Sequence, residues 1–226
     1  MKSILLCAEG KHDFGATNVW CARAKDFVTT EGWLQPLIRS VLDFSPDFEI
    51  RERSSLIRLR GNPKPAHGHG DKSYLAKRTA ALEGHDIVIF MVDTDSAVPQ
   101  RHSEIVQEIA DGFDAYSDDS VGCIACVPLS ASEAWLLADH IAWQGVWGKA
   151  VDILPDQPES IWGKRDNPAG NHPHRYFFRV CAEVSAADNT ETRRMVSEAL
   201  SVATLREKCP ISFASFETNL RMAADV

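Results

Sequence analysis

The residues with most chemistry to offer stand at the end of one apolar run. Asp86-Ile87-Val88-Ile89-Phe90-Met91-Val92 stops on Asp93-Thr94-Asp95-Ser96, and side chains two apart on an extended chain point the same way. Two carboxylates so placed repel each other unless a cation or a proton joins them. Oxygen-only ligands select hard divalent ions, so Asp93 and Asp95 are a candidate metal pair. Asp and Ser also suit turns and helix caps, which would account for them without a metal.

Other reactive residue types are less well placed. Cys123-Ile124-Ala125-Cys126 has Cys-x-x-Cys spacing, but residues three apart on a strand face opposite ways, which argues against zinc or redox use. His67-Gly68-His69-Gly70 and His172-Pro173-His174 lack a Cys partner at ligand spacing and suit flexible loops. Gly61-Asn62-Pro63-Lys64-Pro65 does not end in the Gly-Lys-Ser/Thr of a phosphate loop, so any ATP dependence has to come from a partner.

The elements that must position the acids follow from periodicity. The run before Asp93 is short, rich in β-branched residues and apolar on both faces, as in a central parallel strand covered on either side. Ligands of such sheets bind in the crevice beyond the carboxyl ends of the strands. Ser3 to Ala8, ending on Glu9-Gly10, is a second buried strand; Phe48 to Leu59 alternates like an edge strand, and Val121 to Leu129 is a further apolar run. Helical spacing covers 17–42, 72–83, 100–116, 134–143, 175–183 and 192–200, with a break near Thr30 because of Gly32 and Pro36, and the tail ends in a helical turn or two. Residues 61–71 and 152–174 are rich in loop formers, the second with one short turn of helix. The expected architecture is α/β, a mainly parallel central sheet with helices on both faces over 1–146, with a C-terminal loop and helical extension over 147–226 packed on it.

Composition sets the remaining bounds. A net charge of -8 argues against a broad basic surface that would hold nucleic acid by phosphate neutralisation alone. Lys72, Lys77, Arg78 and Arg175 are the local cations expected to steer an anionic backbone. No apolar run approaches the roughly 20 residues that span a bilayer, and Ile4-Leu5-Leu6-Cys7 is too short for a signal peptide. A cytoplasmic chain with reduced, mostly buried thiols is expected.

Glu9-Gly10 at the end of the first strand, followed by Asp93-Thr94-Asp95 at the end of a later one, resembles the Toprim fold of topoisomerases, primases and OLD-type nucleases. The segments 128–139 (PLSASEAWLLAD) and 205–216 (LREKCPISFASF) are similar to a branch of small bacterial OLD-like Toprim proteins that carry a domain of unknown function. The resemblance implies Mg²⁺- or Mn²⁺-dependent cleavage of phosphodiesters, with DNA as substrate, in a defence or repair system that includes an ATPase. On the family pattern Glu9, Asp93 and Asp95 hold metal with their oxygens converging, Asp13 assists, and Glu133 completes a second metal position. His174 stands where the family has a lysine, and Lys164, ten residues earlier, is the candidate substitute. Ser130-Ala131-Ser132-Glu133 is also a capping box, which would explain Glu133 without catalysis. The acidic balance and the missing lysine favour an alternative role, that of a Toprim-fold regulatory or scaffold subunit of an ATPase complex.

Overall fold

The computed structural model describes residues 2–17, 28–42, 44–56, 58 and 67–225. Strand β1 (Ser3–Ala8) leads through a single turn, α1 (Lys11–Phe14), to a small antiparallel pair, β2 (Ala16–Thr17) with β3 (Val28–Thr30), and on to α2 (Leu34–Val41). Then come β4 (Asp47–Glu52), α3 (Gly68–Glu83), β5 (Ile87–Met91), α4 (Pro99–Asp114) and β6 (Gly122–Cys126). The rest is helical: α5 (Ser132–Leu136), α6 (His140–Trp147), α7 (Pro173–Glu183), α8 (Thr190–Ala199), α9 (Val202–Lys208) and α10 (Phe213–Asp225).

Four strands form one parallel sheet in the order β4-β1-β5-β6. Alternation along each strand splits its side chains between two cores. Ile4, Leu6, Ala8, Ile87, Ile89 and Met91 enter a large core with α2 and α5 to α10. Leu5, Cys7, Val88 and Phe90 face Leu75, Ala76 and Ala80 of α3 and Ile105, Ile109 and Phe113 of α4. Both faces are thus covered, which is why β1 and β5 are apolar without alternation. The helices α3 and α4 meet at Gly112, where a Cβ would lie 2.0 Å from the Gly70 carbonyl oxygen.

The chain steps outward from β1 to β4 and then returns past β1 to β5 and β6, so strand order reverses between β1 and β5. The carboxyl ends of those two strands frame the crevice where open α/β sheets bind ligands.

Several boundaries differ from those expected. The helix expected over 17–42 is, in its described part, strand β3 followed by α2, while 18–27 lie outside the described residues. The cause is at Gly32, where a Cβ would lie 2.3 Å from the Asp13 carbonyl oxygen, and where Trp33 N–H donates to the His12 carbonyl at 3.2 Å. Helix α3 begins at Gly68 rather than 72, and the earlier part of the expected loop, 61–66, is not described. The single helix expected over 134–143 is two, because the Asp139 carboxylate starts α6 by accepting from Ile141 N (3.0 Å) and Ala142 N (3.2 Å). The last helix runs for 13 residues instead of a turn or two. No helix among the described residues is long and apolar enough to cross a membrane.

Candidate functional site

Beyond Met91 the chain is held by the segment after β6. Val92 N donates to the Cys126 carbonyl (3.1 Å), Thr94 N to that of Pro128 (3.1 Å), and the buried Thr94 hydroxyl to the same oxygen (2.8 Å). With Thr94 fixed inward, Asp93 and Asp95 are displayed on either side of it. Asp95 sits at φ 50° and Ser130, opposite, at φ 74°, conformations that hold only where the surroundings over-determine them. Here Ser130 N–H donates to the Ser96 carbonyl at 2.9 Å and its hydroxyl to that of Ile161 at 2.6 Å. Glu9 follows the neighbouring strand, and Glu9, Arg53, His69, Asp93, Asp95 and Arg101 line one cleft of about 350 Å³ at the switch point.

In that cleft the Arg53 guanidinium ion-pairs with Glu9 and approaches His69 Nδ1 at 3.3 Å. Burial and the adjacent Arg53 charge lower the His69 pKa, so its ring favours the neutral form. Asp95 makes no side-chain hydrogen bond or ion pair among the described residues.

Behind the cleft lies a second, buried layer. Asp93 Oδ1 accepts from Ser132 N at 2.8 Å, at the start of α5. The next residue, Glu133, is 6 % exposed and accepts on Oε1 from Arg193 Nη2 (2.8 Å) and His174 Nδ1 (3.2 Å). Arg193 is itself buried, donates to Asp188 at 2.9 Å and lies over the Phe177 ring at 4.8 Å. Asp13 Oδ1 accepts from the Trp33 indole at 2.9 Å. Burial raises the Asp93 carboxyl well above the usual range, and the charges of Glu133, Asp13 and Asp95 raise it further. Burial also lifts Asp13 to about 6, against the Trp33 hydrogen bond and the Arg193 charge. For Glu133 burial is outweighed: the His174 hydrogen bond and the Arg193 guanidinium hold it down at about 2.

The positions named in the sequence therefore divide. Glu9, Asp93 and Asp95 share the cleft; Asp13 and Glu133 bear electrostatically on Asp93 from behind; His174 is on Glu133. Lys164 is exposed, and among the described residues its ammonium has no hydrogen bond or ion pair. The capping box does not form: Ser130 and Glu133 bond elsewhere, and Asp93 takes the Ser132 N–H instead. Lys77, expected to steer substrate, is buried with its ammonium on the Phe113 carbonyl (3.1 Å), Lys72 donates to that of Leu56 (2.7 Å), and Arg175 to that of Arg165 (2.6 Å). Among the described residues the cations that line the cleft are Arg53 and Arg101, neither of which the sequence singled out. Arg193 left one signal, a charge on the apolar stripe of α8 three residues before buried Val196.

The cleft acids are not gathered about one point. Among the described residues, the one group of three whose ligand atoms lie close enough together to hold a metal ion is Glu49, Glu83 and His85, within 4.8 Å of one another. Arg53 draws the Glu9 carboxylate aside and the Ser132 N–H holds Asp93. Of the two cysteines in Cys-x-x-Cys, Cys126 enters the large core while Cys123 packs against the other. Compared with protein-family models, curated proteins and solved structures, the chain matches none.

Proposed function

We propose that the chain is a Toprim-type, metal-dependent phosphodiesterase that cuts DNA as the nuclease subunit of a bacterial defence or repair system, with ATP hydrolysis supplied by a partner protein. The observation that carries this is the meeting of three acids and two arginines in one cleft at the topological switch point. The donor set, though not gathered about one point, has the chemistry a hard dication takes. Glu9, Asp93 and Asp95 offer oxygens only, Asp95 makes no hydrogen bond or ion pair among the described residues, and Asp93, raised chiefly by burial, is raised further by the charges of Glu133, Asp13 and Asp95. Asp93, Asp95 and Glu9 would hold Mg²⁺ or Mn²⁺, which when bound activates water and offsets charge on a phosphoryl oxygen.

The chain's own residues do the rest. Arg53 and Arg101 present guanidinium donors to the non-bridging oxygens of a phosphodiester. Arg53, now paired with Glu9, would leave that carboxylate available to the ion as it turns to the phosphodiester. Glu133 already accepts from Arg193 and His174, so it serves as an anchor rather than a second metal ligand. Arg193 is a fixed positive charge held on Glu133 and Asp188. A second reading, a scaffold subunit that retains a metal without turnover, is favoured by the same pairing of Glu9 with Arg53, which neutralises the cleft from within.

Wild type, Asp95→Ala and His174→Lys, assayed together on plasmid and single-stranded DNA with Mn²⁺, separate the two. Slow cutting is expected from wild type, none from Asp95→Ala and faster cutting from His174→Lys, with all activity falling steeply as salt rises. Equal trace activity from all three would sink the nuclease and leave the scaffold.

A further inference from the structure

The amino-edge side of the sheet carries a cluster that the cleft does not use. His85 follows the left-handed cap of α3 at Gly84 (φ 78°) and is 8 % exposed. Its Nδ1 is fixed against the Ser3 hydroxyl at 2.6 Å. Its Nε2 lies between Glu49 Oε2 of the edge strand β4, at 3.3 Å, and Glu83 Oε2 at the end of α3, at 3.6 Å. Yet this buried nitrogen makes no hydrogen bond with either. If Nδ1 carries the proton and donates it to Ser3, Nε2 presents a bare lone pair to two anionic oxygens. In the other tautomer, its N–H is aimed at neither. Both arrangements leave unfilled the space on which three donors converge.

We propose that Glu49, Glu83 and His85 form a binding site for a zinc-type divalent cation, separate from the acids at the carboxyl edge. A tetrahedral ion with bonds of about 2.0–2.1 Å keeps its ligands roughly 3.3–3.4 Å apart, close to the observed 3.3 and 3.6 Å from Nε2. One imidazole with two carboxylates suits Zn²⁺ and its transition-metal neighbours, whereas Mg²⁺ takes oxygen and keeps its waters. The Ser3 contact is the outer partner that ligand histidines use to fix tautomer and ring orientation. Arg51 ion-pairs with Oε1 of Glu49 and reaches Glu83 at 3.2 Å, which turns Oε2 of Glu49 toward His85. The two glutamates are about a third exposed, 31 % and 38 %, so an ion can enter and a water can complete its coordination. Because the ligands come from β4, α3 and the link to β5, a bound ion would pin the sheet's edge strand to its centre.

Protonation of His85 is the rival occupant of the same space, and calorimetric titration of the chelator-stripped full chain with ZnCl₂ at pH 7.5 in 10 mM Mg²⁺ separates them. One Zn²⁺ is expected per chain, with micromolar or tighter affinity, and a higher melting temperature on loading. His85→Ala and Glu49→Gln should each weaken this equivalent by about 100-fold, given that even outer-partner losses cost about 10- to 100-fold, while Asp93→Asn should keep it. Glu83→Gln, checked by circular dichroism, serves if His85→Ala fails to fold. In Co²⁺ the site should give the intense visible bands of four-coordination, lost in the same variants. Zinc binding no tighter than millimolar, or equal binding by the folded Glu49→Gln and Glu83→Gln variants, would overturn the proposal.

Discussion

Two carboxylates that act on one another electrostatically are shifted in opposite directions. Glu133 is anionic because Arg193 and His174 hold it so; Asp13, whose side-chain donor among the described residues is the Trp33 indole, has its pKa lifted by burial to about 6. The signs then oppose. Asp13 binds its proton more tightly in the folded chain, so folding takes up a proton between its ordinary 3.8 and about 6, and stability from this group grows as pH falls through that window. Glu133, depressed to about 2 from 4.5, contributes stability that is complete above 4.5 and lost as pH falls toward 2. Melting temperatures of the metal-free chain should therefore rise from pH 7 to about 5, and Asp13→Asn, which keeps an oxygen for Trp33, should flatten part of that limb, Asp93, raised in the same direction, supplying the rest. Arg193→Met tests the other partner. Removing one member of a buried ion pair costs about 3–5 kcal/mol, and the Arg193→Met, Glu133→Gln pair together should cost clearly less than the sum of the two, as a double-mutant cycle would read.

Asp139 shows how one residue sets the course of two helices. One carboxylate oxygen starts α6 through Ile141 and Ala142, and the other accepts from Ser201 N at 3.0 Å, just before α9. Loss of a helix cap and of the acceptor for a part-buried N–H should together cost on the order of 2–3 kcal/mol. Asp139→Ala should thus melt roughly 5–10 °C lower, and Asp139→Asn, which retains an acceptor, should recover most of that. Asp139 also marks where local pattern fails. The four sheet strands were visible because each is a local apolar or alternating run, and α4, α7 and α8 because their apolar spacing is unbroken. The stop between α5 and α6 was not, because apolar residues continue through it and the partner is 62 residues away. The strand at Val28–Thr30 was hidden differently: Gly32 and Pro36 mark the break near Thr30, but the antiparallel pairing with β2 that keeps the chain before it extended is not a local pattern.

At the scale of the whole molecule, acids were legible and cations were not. Asp93 and Asp95 announce themselves at the end of an apolar run, whereas Arg53, Arg101 and Arg193 come from β4's exit, α4 and α8, and only the packed chain brings them near. Much of that packing depends on the segment after residue 146. Trp135 of α5 meets the rings of Phe213 and Phe216 at 5.2 and 5.4 Å, and its indole donates to the Ser212 hydroxyl at 2.7 Å. Ser212 in turn donates its backbone N–H to the buried Glu159 carboxylate at 2.8 Å. Trp143 packs on Phe177, and the core that receives Ile4, Ile89 and Ile124 runs on through Val196, Leu205 and Leu220. Among the described residues α2, α5 and α6 cover only part of that sheet face, and α7 to α10 complete it. A fragment ending at residue 146 would expose the part under α7 to α10 and strip Glu133 of both His174 and Arg193. Expressed alone, it should keep helical circular dichroism, bind a hydrophobic dye and lack dispersed side-chain resonances, the signature of a chain collapsed without fixed packing. Co-expression with residues 147–226 should restore a cooperative melt. A fragment 1–146 that melts cooperatively by itself would show instead that the α3 and α4 face suffices, and that the C-terminal helices dock on a finished domain.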